Sequence, residues 1–270
     1  MRKNEGEQYF LNGIFAVAAA LSLINLVISE GYRNIEWQYV PYVYGASLFY
    51  TLYQVYANKA YQTGGNISTH YPLTVLSPLF IPIWAFFVLG EKISVISAAG
   101  ILVTVSGAVI MQLKSFSLSE LAKIFRFSKD YRGARYAITA SFMYSFGAIF
   151  DKFKIAHFSV SAYLALIICF MALNMIIYLW LTGRRDFVAG GFMNYKLTFT
   201  GGFALLFSFL FFRIALAKTD VSIAVPVRQT SIIFAILFGV ILLKEKFSIQ
   251  KIAAVTVIFA GMLLINFGLR

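Results

Sequence analysis

The chain has 270 residues, of which 60% are hydrophobic and only 13% charged, with a mean hydropathy of +0.78 and a formal net charge of +12. Soluble domains carry roughly a quarter charged residues, so the composition excludes one. The surplus of Lys and Arg would suit nucleic acid if it clustered on one folded face; here it crowds short connections between apolar runs, and no nucleic-acid partner is expected.

Apolar runs near the length of a spanning helix, about 20 residues, recur along the whole chain. They predict about nine helices, near 9–29, 39–60, 71–89, 95–113, 135–155, 160–182, 196–217, 221–243 and 249–267. Backbone groups in lipid need internal partners, which leaves helices or a closed barrel. Barrel strands alternate polar and apolar over about ten residues, and YLALIICFMALNMIIYLWL does not. The first run is too long for a signal-peptide core, and NLVISE offers a poor cleavage site, so no cleavage is expected. The single cysteine, Cys169, forms no intrachain disulfide.

On the second helix, Ser47, Tyr50, Gln54 and Asn58 fall within about 60° of one another at 100° per residue, and Tyr61 continues the stripe. Such a stripe suits a water-filled path or hydrogen bonds between helices. The third helix begins with His70, Pro72, Thr74 and Ser77 and ends at the charged turn GEKIS. Gly100 and Gly107 follow on the fourth, and Ala253, Ala254, Ala260 and Gly261 on the last; these small faces allow close packing and are also compatible with a homodimer. Between the halves, Leu118, Leu121, Ala122 and Phe125 share a face beside Lys123 and Arg126. That segment reads as an interfacial helix on acidic headgroups or as a solvated linker.

On the helix at 135–155, Tyr144, Ala148 and Asp151 share a face, with Ser141, Ser145 and Lys152 on its shoulder. Arg228 lies about seven residues into the helix at 221–243, roughly 10 Å along it. An arginine at the centre of a span costs about 2.5–3.5 kcal/mol on insertion scales. Its helical neighbours Ala224, Ser231 and Ala235 are small, leaving space beside the guanidinium, and Asp151 is the expected counter-charge. Two roles stay open, a permanent ion pair or a guanidinium that holds an anionic group of a substrate while Asp151 competes for it.

The charged turn is written twice. Sliding residues 66–113 by 154 positions onto 220–267 aligns 11 identities in 48 pairs, among them Pro72 with Pro226, Ser77 with Ser231 and Glu91 with Glu245. Arg228 falls on Thr74, an asymmetric charge in a duplicated frame. Five predicted helices separate the two turns, an odd number, so the copies point to opposite sides of the membrane. Inverted repeats mark secondary transporters. Glu91 and Glu245 each open the following helix, where a carboxylate meets the positive end of the helix dipole; with Pro72 and Pro226 they read as structural. Lys and Arg on alternate connections number 15 against 7, which places the N-terminus and the 114–134 linker in the cytoplasm.

A proline early in one helix, a Gly/Lys-Glu-Lys turn and a Gly-containing closing helix resemble the drug/metabolite transporter superfamily, EamA type. The pattern is carried by YPLTVLSPLFIPIWAFFVLGEKISVISAAGILVTVSGAVI and VPVRQTSIIFAILFGVILLKEKFSIQKIAAVTVIFAGMLLI. The resemblance implies ten helices as two inverted sets of five, a central substrate cavity and transport without ATP. Here 135–155 has no counterpart before residue 9, so either the chain is short or a further span is encoded upstream of Met1. The organisation is therefore an N-terminal repeat at 1–114, a basic amphipathic linker at 115–134 and a C-terminal repeat at 135–270.

No GxxxxGKS/T, HExxH or GxSxG occurs, so neither an ATP site, a metal site nor an enzyme is expected, and no cofactor. The reading is an all-α, multi-pass secondary transporter of a small metabolite (amino-acid-like, drug-like or otherwise polar or amphipathic), ion- or gradient-driven, in the cell membrane. Its candidate substrate-binding residues are Arg228, Asp151, Tyr144, Thr74, Tyr50, Gln54, Asn58 and Ser231, with membrane lipids as its other partners. A lipid or lipid-linked sugar flippase on the same frame, or a non-transporting membrane subunit, are the alternatives.

Overall fold

The protein is all-α, and its helices lie where the sequence places apolar runs. The computed structural model describes residues 3–63, 73–74, 76–89, 94–112, 132–154, 157–183, 190–218, 228, 231, 234, 238–239, 241, 244 and 249–268. They contain eight long helices: α1 Lys3–Ile28, α2 Val40–Gln62, α3 Ser77–Leu89, α4 Val95–Gln112, α5 Arg132–Lys154, α6 Val160–Leu181, α7 Tyr195–Lys218 and α8 Ile249–Gly268. Most of the eighth expected helix, at 221–243, lies outside the described residues, as do Pro72, Pro226, Glu91, Glu245, His70 and nearly all of the linker. Within the described residues, segments of α1, α6 and α7 are long and apolar enough to cross a membrane: Tyr9–Ile28, Val160–Leu181 and Tyr195–Ala215.

Helix ends follow local chemistry. Ser159 caps α6, its hydroxyl accepting from the Ala162 amide at 3.2 Å. That helix closes at Thr182, and Gly183 then takes a left-handed φ of 74°, which glycine adopts without a Cβ clash. The expected single run over 71–89 is interrupted. Leu73 and Thr74 are helical, Leu76 is not, and α3 starts at Ser77. Pro78 lacks an N–H and disfavours helical backbone just before it, so it fits a first turn and not a helix interior.

Two compact units divide the chain. One holds Met1–Leu52 and Gly147–Asp220, the other Tyr53–Phe146 and Val221–Arg270. Both α2 and α5 contribute residues to each unit, and each unit draws helices from both sequence halves. The repeat describes duplication, whereas compactness groups the helices differently.

In the first unit α1 packs against α6 and α7. Phe15, Leu164, Ile167, Ile168 and Met171 are buried in its core. On α7, Phe199, Phe203, Phe207 and Phe211 are all exposed, an apolar ridge that suits lipid contact.

In the second unit α4 lies along α8, the closing helices of the two repeats against each other. Their small faces meet here: a Cβ on Gly100 would come within 2.5 Å of the Ile265 nitrogen and 2.7 Å of the Gly261 carbonyl. Glycine is required for backbones this close. Ser97 adds a hydrogen bond across the pair to the Ile265 carbonyl, at 3.1 Å. Beside them, Ala60, Leu73, Leu76, Ala137, Ala254, Ile258 and Met262 form a buried core.

Candidate functional site

Polar groups inside apolar helices need partners, because each unsatisfied one in hydrocarbon costs several kcal/mol. Among the described residues, two clusters are built around an arginine, one in each unit.

In the first unit Asp151, near the end of α5, is fully buried. Its Oδ2 accepts a hydrogen bond from the Tyr50 hydroxyl of α2 at 2.5 Å and lies 2.7 Å from Nη1 of Arg213 on α7. Its Oδ1 accepts from the Tyr163 hydroxyl of α6. Arg213 is only 1% exposed. Its guanidinium carbon lies 5.3–5.6 Å from the ring centroids of Tyr163, Phe212, Tyr50 and Phe209, within reach of their π faces. Two hydroxyl donors and a guanidinium charge at the carboxylate, with four rings around the cation, stand in for the water that burial removes. Room for this is made one turn earlier on α5: a Cβ on Gly147 would come within 3.0 Å of the Tyr50 ring.

The start of the α2 stripe is used in the same way. Ser47, buried, accepts a hydrogen bond from Nδ2 of Asn174 on α6 at 3.0 Å. Ser47 and Tyr50 therefore tie helices together, while Gln54 and Asn58, further along, are half-buried.

In the second unit Nη1 of Arg228 donates to the Tyr144 hydroxyl of α5. The guanidinium carbon also lies 5.5 Å from the centroid of the Tyr144 ring, and Tyr53 of α2 meets that ring edge-on at 5.2 Å. Arg228 is half-buried, as is Ser231 one turn on; Thr74 is buried. Elsewhere on α5, Ser145 accepts from the Trp84 indole at 2.8 Å, and the Trp84 and Phe146 rings meet tilted by 32° with centroids 4.2 Å apart.

The structure thus brings Tyr50 to Asp151 and Tyr144 to Arg228. Sequence reasoning missed Arg213. In the sequence it reads as one of the seven charges on the less basic side, whereas it is buried and forms an ion pair with Asp151, the partner expected for Arg228. A usable signal was present. Helices two apart in a run of hairpins point the same way, and Asp151 and Arg213 stand three and five residues from the ends of their helices. They are therefore at similar depth. Tyr163 and Tyr53 carried no signal beyond their polar tips.

A family profile described as the EamA-like transporter family matches residues 5–113 and 131–267, the two repeats in turn. No curated protein matches the sequence. Among solved structures, one described only as a crystal structure of a protein superposes with a TM-score of 0.62 at 15% identity, over 96% of this chain and 87% of its own. At that identity the likeness concerns the fold alone.

Proposed function

The chain belongs to the EamA-like transporter family, and on that premise we propose that it is a secondary transporter of a small metabolite bearing an anionic group, held by Arg228. Such a carrier works by alternating access, driven by an ion or solute gradient. The observation behind this reading is a half-buried arginine seated on a tyrosine, within an apolar stretch where a charge is costly. A guanidinium presents five N–H donors in a planar fork that matches a carboxylate. The Tyr144 hydroxyl accepts from that fork and the Tyr144 ring lies against it. Ser231, Thr74, Gln54 and Asn58 are the polar residues assigned to the rest of the substrate, whose apolar parts would meet aromatic side chains.

Binding calorimetry on the purified protein tests this with leucine as a zwitterion, benzoate as an anion and choline as a cation. Leucine or benzoate is expected to bind, and Arg228→Gln to weaken that binding at least roughly tenfold, or 1.4 kcal/mol, in a protein that still folds. Arg228→Lys should keep part of it, since lysine lacks the fork. Carboxylate affinity unchanged in Arg228→Gln would refute the assignment.

A further inference from the structure

The chain has three tryptophans. Trp84 is tied to Ser145 in the second unit, whereas Trp37 and Trp180 belong to the first and are 72% and 63% exposed. Trp180 is the penultimate residue of α6, twenty residues after Val160 at its start, or roughly 30 Å along the axis.

Trp37 stands at the other end of that helix. It lies in the connection between α1 and α2, which forms short 3-10 turns at Gly31–Asn34 and Trp37–Tyr39. The connection is seated on the start of α6. A Cβ on Gly31 would come within 2.8 Å of the hydroxyl of Ser159, the residue that caps α6. Glu36 and Tyr39, on either side of Trp37, both meet His157: the Glu36 carboxylate lies 3.5 Å from its Nδ1, and the Tyr39 ring centroid 4.0 Å from its own.

The outward surface between the two tryptophan levels is apolar. Leu173, Ile176 and Ile177 of α6 are exposed, as are Ile24, Val27 and Ile28 of α1, and the phenylalanine ridge of α7 continues this surface. Just past Ile28 the character changes, with Glu30 and Arg33 paired at 3.0 Å and each more than half exposed. Tyr32 and Tyr42 are exposed at the same end. At the end of Trp180, where the starts of α1 and α7 meet at Gly13 and Thr198, the exposed aromatic is Tyr195. An indole or phenol joins an apolar ring to a polar tip. Hydrocarbon leaves the tip unsatisfied and water leaves the ring uncovered, while the boundary between them serves both.

We propose that Trp37 and Trp180 are lipid-interface anchors: each ring sits at the headgroup–acyl boundary of a phospholipid bilayer, in opposite leaflets. The connection Gly31–Tyr39 then lies along that boundary and not in water. The spacing matches a bilayer whose hydrocarbon is about 30 Å thick. Because the connection is wedged on α6, its ring is held at a fixed height, and the two anchors together set the depth of the first unit.

The test uses the full-length protein in phosphatidylcholine liposomes, with bromine placed either high on the acyl chain, near the glycerol, or low, near the methyl end. Bromine quenches tryptophan emission on contact. Trp37→Phe and Trp180→Phe each subtract one ring from the wild-type signal, and Trp84 stays in place because it bonds to Ser145. Trp37→Tyr and Trp180→Tyr, silent under red-edge excitation, give the same subtraction where a phenylalanine variant does not fold. The difference emission of each ring is expected to be quenched roughly twofold or more strongly by the high bromine than by the low one, as an interface ring requires. Equal or stronger quenching by the low bromine, or no quenching by either lipid, at either ring would overturn the proposal.

Discussion

On Asp151 two tyrosine hydroxyls and a guanidinium converge. A buried ion pair stripped of one partner leaves a charge without compensation, which typically costs about 3–5 kcal/mol. Asp151→Asn should therefore lower thermal stability far more than Tyr163→Phe, which removes a single hydrogen bond to a charged group, worth about 1.5–3 kcal/mol. Unfolding followed by intrinsic fluorescence in detergent checks the ordering; equal effects would mean that Arg213 is compensated without the Asp151 carboxylate. At this scale the sequence was half legible. Arg228 stood out because it interrupts an apolar run and replaces a threonine in the repeat. Arg213 did not, since it lies near the end of its run beside Lys218, where a basic residue reads as a headgroup anchor. Only the fold distinguishes a buried arginine from a flanking one.

At the scale of elements, hydropathy located the described helices to within three residues at each end, except that α1 starts six residues before its apolar run and α3 six after its own, because about 20 apolar residues satisfy their backbone in lipid as a helix. At the start of α3, proline chemistry explains the departure. The second charged turn holds another local feature. Lys244 has a left-handed φ of 53°, a conformation costly for residues with a Cβ, and the repeat places a glycine, Gly90, at the equivalent position. Lys244→Gly should relieve that cost and raise the unfolding midpoint by about 1–3 °C, whereas Lys244→Val should lower it. A lower midpoint for the glycine variant would show that the lysine side chain contributes more than the strain removes. The small faces of α4 and α8 were visible in the sequence as stripes, but that they pack on each other could not be read there. A stripe states that something comes close, not what.

Across the whole molecule, the duplication was legible because its identities include prolines, glutamates and glycines, which shared hydrophobicity does not produce. The grouping of helices into compact units was not, since it depends on pairings between halves that no local pattern encodes. The functional account stands on one joint claim, that this EamA-like protein carries a metabolite and that Arg228 grips its anionic group. Uptake of radiolabelled leucine, succinate and lactate into liposomes, with wild type and Arg228→Gln side by side, tests it most directly. The account predicts saturable uptake of at least one carboxylate by the wild type, lost in a folded Arg228→Gln. Uptake of all three no faster than in protein-free liposomes, or equal uptake by both proteins, would contradict it.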